Sequence, residues 1–491
     1  MSPADLALLD GDSLWSVMRA AASGSRDGLA AVVARQCLSG ASPRLGWVCP
    51  PPWSTVERSV AAVLAACRLP AASGLLPLAT GGWSFAARAI CETVSQAAPA
   101  GLTPALDSLE PAMIRRALRH GDRAPGAFLA ISASGGTLET RLLARVVSER
   151  GDTACTQGGR RSAPPQAPAG RAPVVWLRDE TAPPDVFALS PCRVPDQVAM
   201  LGAPLSTAFL VAAAAADAAG LADAYSRLLR RHDRIGAAAA RQAAGVRVHG
   251  SVLVHLVAPE WAGPGLRLWL LQLARQVVCG KSARFRPRIE VVAPDDQGAT
   301  PDVRVDLGTS PRSLPGLVET MYYAGIFVGS LALRAGVAVA EHAHVAAYKD
   351  RLADARQGIG DLGTAGAGDL PDVAHGWLAS QPELTRLHVV LYDSTAMGPG
   401  TGAGRFAAAT GRSCEVHAGS AWNHHSFHAV YADRSVGVLL AVASPEASAQ
   451  EPAPLLEAAR TLRQTAIATH LALADRSIIV QLPAPAMREG D

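Results

Sequence analysis

One stretch constrains this chain more than any other. The apolar run Phe128-Leu129-Ala130-Ile131 passes through Ser132-Ala133-Ser134-Gly135-Gly136-Thr137 into a helical stretch from Leu138 to Arg150. A short apolar strand, a small-residue loop and a helix form the repeating unit of a mostly parallel sheet with helices on its faces. The same pattern occurs upstream. Leu75 to Ala79 reads as a strand, Thr80-Gly81-Gly82-Trp83-Ser84 as a tight loop and Phe85 to Ser95 as a helix.

The pattern continues along the chain. Leu205 to Gln242 reads as helix, as do Gly265 to Val278 and Ser313 to Ala335, with strands at Ser251 to Val257, Ile289 to Val292 and Val303 to Asp306. A third α/β stretch has strands near His388 to Leu391, Gly437 to Val442 and Ser477 to Gln481, and a helix at Pro454 to Ala474. Residues 155–172, rich in Gly, Arg, Pro and Ala, read as a linker, and Gln357 to Asp369 as a Gly-rich connection. The fold class is therefore α/β. The predicted division is a helical segment over 1–64, α/β domains over 65–175 and 180–350, and a C-terminal α/β segment over 372–491.

With 491 residues, 49% of them hydrophobic and 18% charged, the chain has ample material for several cores and does not read as disordered. Lys plus Arg is 45 against 42 Asp plus Glu, and aromatics are 5%, so no basic, aromatic-interleaved nucleic-acid surface is expected. Eight Cys lie singly, with no Cys-x-x-Cys pair, which fits a reducing, cytoplasmic setting and no Cys-based zinc site. The N-terminus carries Asp5, Asp10 and Asp12 and no Lys or Arg before Arg19, unlike a secretory signal. The apolar run from Leu205 to Ala219 is mostly Ala, is broken by Asp217 and reads as a packed helix, so no membrane partner is expected.

The loop over 132–137 has the makings of an anion pocket. The first N–H groups of a helix lack intrahelical acceptors, and the helix dipole places partial positive charge there. Ser132, Ser134 and Thr137 can add hydroxyls, and the glycines let the backbone approach a ligand. An ordinary capped helix with Thr137 as N-cap has the same sequence.

In its wider context this run resembles the signature of sugar-isomerase (SIS) domains, and further segments resemble the phosphoglucose isomerase family, which uses two such domains. Gly81-Gly82-Trp83-Ser84 followed by Phe85-Ala86 is similar to the family's Gly-Gly-Ser-Ser-Leu-Ala loop. Leu106-Asp107-Ser108-Leu109-Glu110-Pro111 is similar to its Leu-Asp-Ser/Thr-Thr-Asp-Pro, and Leu268 to Leu273 with Gly280-Lys281 resembles the helix running into Glu-Ser-x-Gly-Lys. Ser313 to Gly325 and Val345-Ala346-Ala347-Tyr348-Lys349 resemble later family segments. Gly404-Arg405-Phe406 and Thr410-Gly411-Arg412 resemble the isomerase half of bacterial transaldolase fusions. The resemblance implies a homodimer acting on a small molecule, with Gly82 and Ser84 near the substrate and no cofactor.

The family chemistry is altered. Aldose–ketose isomerisation needs a base to carry a proton between two carbons and groups to stabilise the enediolate. The best match to the family's glutamate base is Gln276, and an amide cannot act as a general base. The phosphate-loop lysine is replaced by Ala133. Arg193 lies near the position of the family's arginine, but alignment puts Asp196 there. The family's Phe-Asp-Gln becomes Ala340-Glu341-His342, with only the final lysine retained as Lys349.

Two histidine-rich patches stand in place of these losses. Glu341-His342-Ala343-His344, followed by Lys349, matches an active-site segment of the family. Glu415-Val416-His417 precedes Asn423-His424-His425-Ser426-Phe427-His428, and His417 corresponds to a C-terminal family histidine. Histidine titrates near neutral pH and a carboxylate beside it orients the ring. The candidate catalytic groups are His342, Lys349, Glu341 and His417; the candidate substrate-binding groups are Gly82, Ser84, Ser132, Ser134, Thr137, Gln276 and Arg193. A metal held by His424, His425, His428 and Glu415 matches no zinc motif and is not expected, and that segment reads as loop or strand. Three readings follow: an enzyme of this fold with a different small polar substrate, an isomerase with a relocated base, and a sugar-phosphate binder without catalysis.

Overall fold

A computed structural model describes residues 2–39, 42–67, 74–94, 105–118, 125–132, 137–156, 173–177, 200–247, 251–279, 286–295, 300–308, 310–339, 344–358, 362–393, 396–398, 401–444 and 451–483. The chain divides into two compact units. Unit 1 comprises Met1–Asp107, His120–Ala144 and Arg150–Ala343; unit 2 comprises Ser108–Arg119, Arg145–Glu149 and His344–Asp491.

Unit 1 holds two parallel three-stranded sheets. In the first, β1 (Leu75–Leu78), β2 (Ala127–Ile131) and β3 (Val174–Leu177) pair in that order, all parallel. In the second, β4 (Ser251–Val257) lies between β5 (Arg286–Val292) and β6 (Val303–Asp306), again all parallel. Strands β1 and β2 are buried at every position, as the unbroken apolar runs require in a sheet covered on both faces. Strand β3 is one element that the sequence pattern did not reveal. Four residues, Val174-Val175-Trp176-Leu177, follow the Pro/Gly-rich stretch too closely to show a period of their own.

The helices around these sheets pack in pairs. Helix α1 (Gly82–Val94) lies against α3 (Pro264–Val277), and α2 (Thr207–Ala244) against α4 (Leu314–Arg334). At the first crossing Gly265 is essential to the approach, because a Cβ there would stand 2.5 Å from the backbone nitrogen of Ala89. Helices α2 and α4 are both long and apolar enough to cross a membrane, by length and composition. The apolar window of α4 is 94% buried inside the unit, so it serves as a core helix. Tyr225, Tyr322, Phe209 and Phe327 fill the interior around this pair. Glu319 of α4 is buried and receives Arg227 (Nε–Oε1 2.7 Å) and Arg231 (Nη1–Oε1 2.6 Å) from α2. Helix α2 is not continuous. Asp217 breaks it with φ −159° and ψ 90°, and its carboxylate accepts the Gly220 N–H at 2.8 Å, acting as an internal N-cap.

Unit 2 is built on one parallel four-stranded sheet, in the order β8 (Ser413–Ala418), β7 (Arg386–Leu391), β9 (Val436–Ala443), β10 (Ser477–Leu482). Successive side chains point to opposite faces of a strand. One face therefore carries Leu387, Val389, Leu391, Leu439 and Ala441, and these pack with α5 (Leu370–Leu378) and with Phe406 of α6 (Ala403–Thr410) into a continuous apolar core. The opposite face carries His388, Tyr392, Glu415 and His417 alongside the buried apolar Val390, Val438 and Leu440. Trp422 and Asn423 of α7 (Ala421–His425) and Thr469 of α9 (Ala453–Leu473) bond to groups in this layer. Between α7 and α9 comes α8 (Phe427–Ala432).

The expected loop or strand at Asn423–His428 is thus helical and mostly buried: Asn423, His425 and His428 are each less than 4% exposed. The reason lies in the flanking aromatics. Trp422 and Phe427 are fully buried, and ring contacts to His388 and Tyr348 draw the segment onto the unit.

Candidate functional site

In unit 1 the candidate binding residues Gly82, Ser84, Ser132 and Thr137 sit at two helix starts. Gly82 opens α1 behind Gly81, whose φ of +67° suits a residue without a Cβ. A Cβ on Gly82 would meet the Met200 methyl at 1.9 Å and would lie 3.5 Å from Gln272 Oε1. Ser84 is buried and its hydroxyl donates to the Gly81 carbonyl at 2.6 Å, so it secures the turn. Gln276 accepts a hydrogen bond from Gln272 Nε2 at 2.8 Å, one turn away on α3. Gly82 and the Gln272–Gln276 pair therefore converge.

At the second helix start, Ser132 Oγ and Thr137 Oγ1 are 2.8 Å apart, and the Thr137 N–H donates to Ser132 Oγ at 3.4 Å. The hydroxyls thus link the two ends of the loop. Ser134, Arg193, Glu341 and His342 lie outside the described residues. Lys349 ends the short helix Val345–Lys349 in unit 2 and is exposed.

The most concentrated chemistry is on the polar face of the unit 2 sheet. Residues Glu415 and His417 are two apart on β8 and share a face; register places Glu415 directly opposite His388 on β7. The two rings approach one carboxylate from either side. His417 Nε2 is 3.1 Å from Glu415 Oε2, and His388 Nε2 is 3.5 Å from Glu415 Oε1. The His388 and His417 ring centres are 5.1 Å apart, and His417 is again 5.1 Å from the ring of His425. His425 Nδ1 lies 2.6 Å from Ser426 Oγ. The His388 and His417 side chains are only 5% and 9% exposed, whereas the Glu415 side chain is 39% exposed and opens the cluster to solvent.

Further into the same layer, Tyr392 Oη donates to Asn423 Oδ1, and Asn423 Nδ2 donates to Thr469 Oγ1 at 2.7 Å. Next to Glu415 in the chain, burial pushes the Cys414 thiol up to about 12, with the Glu415 charge adding to it, so this thiol is not a nucleophile at neutral pH.

His417 is a sequence candidate through its resemblance to a family histidine, whereas His388 and Trp422 are not among the candidates. His388 lies inside an apolar strand, where the residues on either side set the pattern. Only the pairing of β7 with β8 brings it to Glu415. The Glu-x-His spacing was the available signal, because in a strand it directs both groups to one face. Among the described residues, His388, Glu415 and His417 are the set whose ligand atoms converge, all within 4.8 Å. The set His424, His425, His428 and Glu415 does not.

No protein-family model matches the chain, and no curated protein matches it. Among solved structures it is similar to a hypothetical protein of Thermus thermophilus, with 17% identity, a TM-score of 0.47, and coverage of 71% of this chain and 96% of that one. It is similar also to a glucose-6-phosphate isomerase from Chlamydia trachomatis, with 12% identity, a TM-score of 0.45, and coverage of 71% and 85%. Likeness at this level is not diagnostic of an activity.

Proposed function

We propose that this protein is an enzyme that moves a proton on a small polar, sugar-like substrate, and that its acid–base group is His417 supported by Glu415. The observation that carries the reading is the 3.1 Å approach of a largely buried imidazole to a carboxylate that is itself partly open to solvent. A histidine beside a carboxylate is a group that can take up and release a proton in catalysis. Glutamate-based isomerisation has no counterpart at Gln276, whose amide is hydrogen-bonded to a second amide, Gln272.

The purified protein is expected not to interconvert glucose 6-phosphate and fructose 6-phosphate at a useful rate, since loss of a general base alone costs about 10²–10⁴-fold. A coupled assay measures this, and turnover of tens per second would overturn the reading. Mass spectrometry of the small molecule that copurifies tests the substrate class. A phosphosugar would favour a relocated-base isomerase or a binder, and a different polar molecule would favour the enzyme proposed here. A homodimer is part of the same reading and is checked by sedimentation.

A further inference from the structure

One buried amide oxygen in unit 1 calls for a donor. Gln272 of α3 is only 5% exposed, and its Nε2 donates to Gln276 Oε1 at 2.8 Å. That bond fixes the turn of the amide and sends its other end, Oε1, the opposite way. Oε1 is buried and receives no hydrogen bond among the described residues. Burying an acceptor unmet costs its full desolvation, so such an atom marks a place for a polar group from outside the chain.

The same atom is aimed at the start of α1. The Cα–Cβ direction of a helical residue leans toward the helix N-terminus. A Cβ on Gly82, the first residue of α1, would lie 3.5 Å from Gln272 Oε1. The Phe85 N–H donates to the Gly81 carbonyl at 3.1 Å. The N–H groups of Gly82, Trp83 and Ser84 come before it and have no acceptor within the helix. Donors and an acceptor therefore meet at one point. A hydroxyl group answers both, because its oxygen accepts from the helix start and its proton goes to Oε1. An ionised phosphate or carboxylate oxygen would satisfy the donors but oppose Oε1.

Met200 supplies the remaining wall. Its Cε and Sδ would stand 1.9 and 2.0 Å from that same Cβ on Gly82, so the thioether rests directly on the glycine. The next residue is pinned: the Leu201 carbonyl oxygen would be 2.7 Å from a Cβ on Gly325 of α4. The backbone is thus held while the unbranched Met200 side chain can turn aside.

We propose that the start of α1 and Gln272 form a site for a hydroxyl group of a neutral, hydroxylated small molecule, and that Met200 covers this site and limits the carbon skeleton it admits. The inference does not rest on the acid–base reading of His417, since every residue in it belongs to unit 1.

The full chain is labelled with ¹⁵N-glutamine, Gln272→Met assigns the side-chain amide, and the probes are xylitol and inorganic phosphate. Xylitol is expected to move the Gln272 amide resonance in a saturable way, and phosphate to leave it in place. Met200→Ala should tighten xylitol binding severalfold. Gly82→Ala, which puts a methyl group between Oε1 and the helix start, should abolish the shift while the rest of the spectrum stays that of the folded protein. Calorimetry on Gln272→Met should show xylitol bound about tenfold more weakly, the loss of one hydrogen bond. A phosphate shift as large as that with xylitol would overturn the hydroxyl assignment. No saturable xylitol shift in either the wild-type chain or Met200→Ala would overturn the site, and an unchanged affinity in Met200→Ala would overturn the role of Met200.

Discussion

At the scale of single residues, burial sorts the cysteines. Burial pushes Cys37 and Cys91 each up to about 12, with Glu92 adding to the effect at Cys91, and Cys414 lies at the same value. Thiolate, not thiol, is the reactive form. Treatment of the native protein with an alkylating reagent at pH 8 should leave all three unmodified, and unfolding in guanidinium should release them. Peptide mapping by mass spectrometry reads the outcome, and rapid labelling of Cys414 in the native state would contradict its burial. Glycines sort by what they touch. Gly265→Ala would drive a Cβ to 2.5 Å from the Ala89 backbone, which cannot retreat without moving α1. Overpacking of this kind costs about 2 kcal/mol. Gly82→Ala meets only the flexible end of Met200 and should cost less than Gly265→Ala in a denaturant titration.

Elements explain which parts of the sequence could be read. The strand–loop–helix units around β1, β2 and β4 were legible because apolar runs bounded by glycine and hydroxyl residues have few other solutions. The helix over Leu205–Gln242 was legible too, with Asp217 standing out as a charge in an Ala-rich run. Its role as an internal cap was not, since a cap depends on local φ and ψ. Asp217→Ala is expected to cost about 1 kcal/mol and Asp217→Asn much less, because Asn retains the acceptor. Thermal unfolding monitored by circular dichroism checks the order of the two. For the candidate site, the sequence singles out His417 through its resemblance to a C-terminal family histidine, and Glu415 only as its neighbour in a histidine-rich patch. His388 and Trp422 were hidden because they reach the site through strand pairing and helix packing, and spacing along the chain records neither.

For the whole molecule, two units with separate cores predict an unfolding curve that departs from a single two-state transition. Calorimetry should give a measured enthalpy larger than the van't Hoff value. Unit 2 should also depend on pH. Burial holds the His470 imidazole below its ordinary 6.5. The unfolded chain therefore binds this proton more readily than the folded one. The stability is fully present above about 6.5 and is lost as pH falls through and below that value. The unfolding transition of unit 2 should move down between pH 7 and pH 5, and His470→Gln should flatten that slope while keeping a polar partner for Ser477.

The sheet of unit 2 divides its labour by parity. Odd positions along β7 meet the apolar helices and hold the unit together, while the even face mixes a buried Val390 with His388 within the strand and Tyr392 just past its end, both of which meet polar groups. Lineages of this protein can therefore rewrite one set while leaving the other alone. A new proton pathway on the even side is a heritable change that leaves the packing of the odd side intact. Such a sheet can alter its reactivity over evolutionary time while its architecture remains the same.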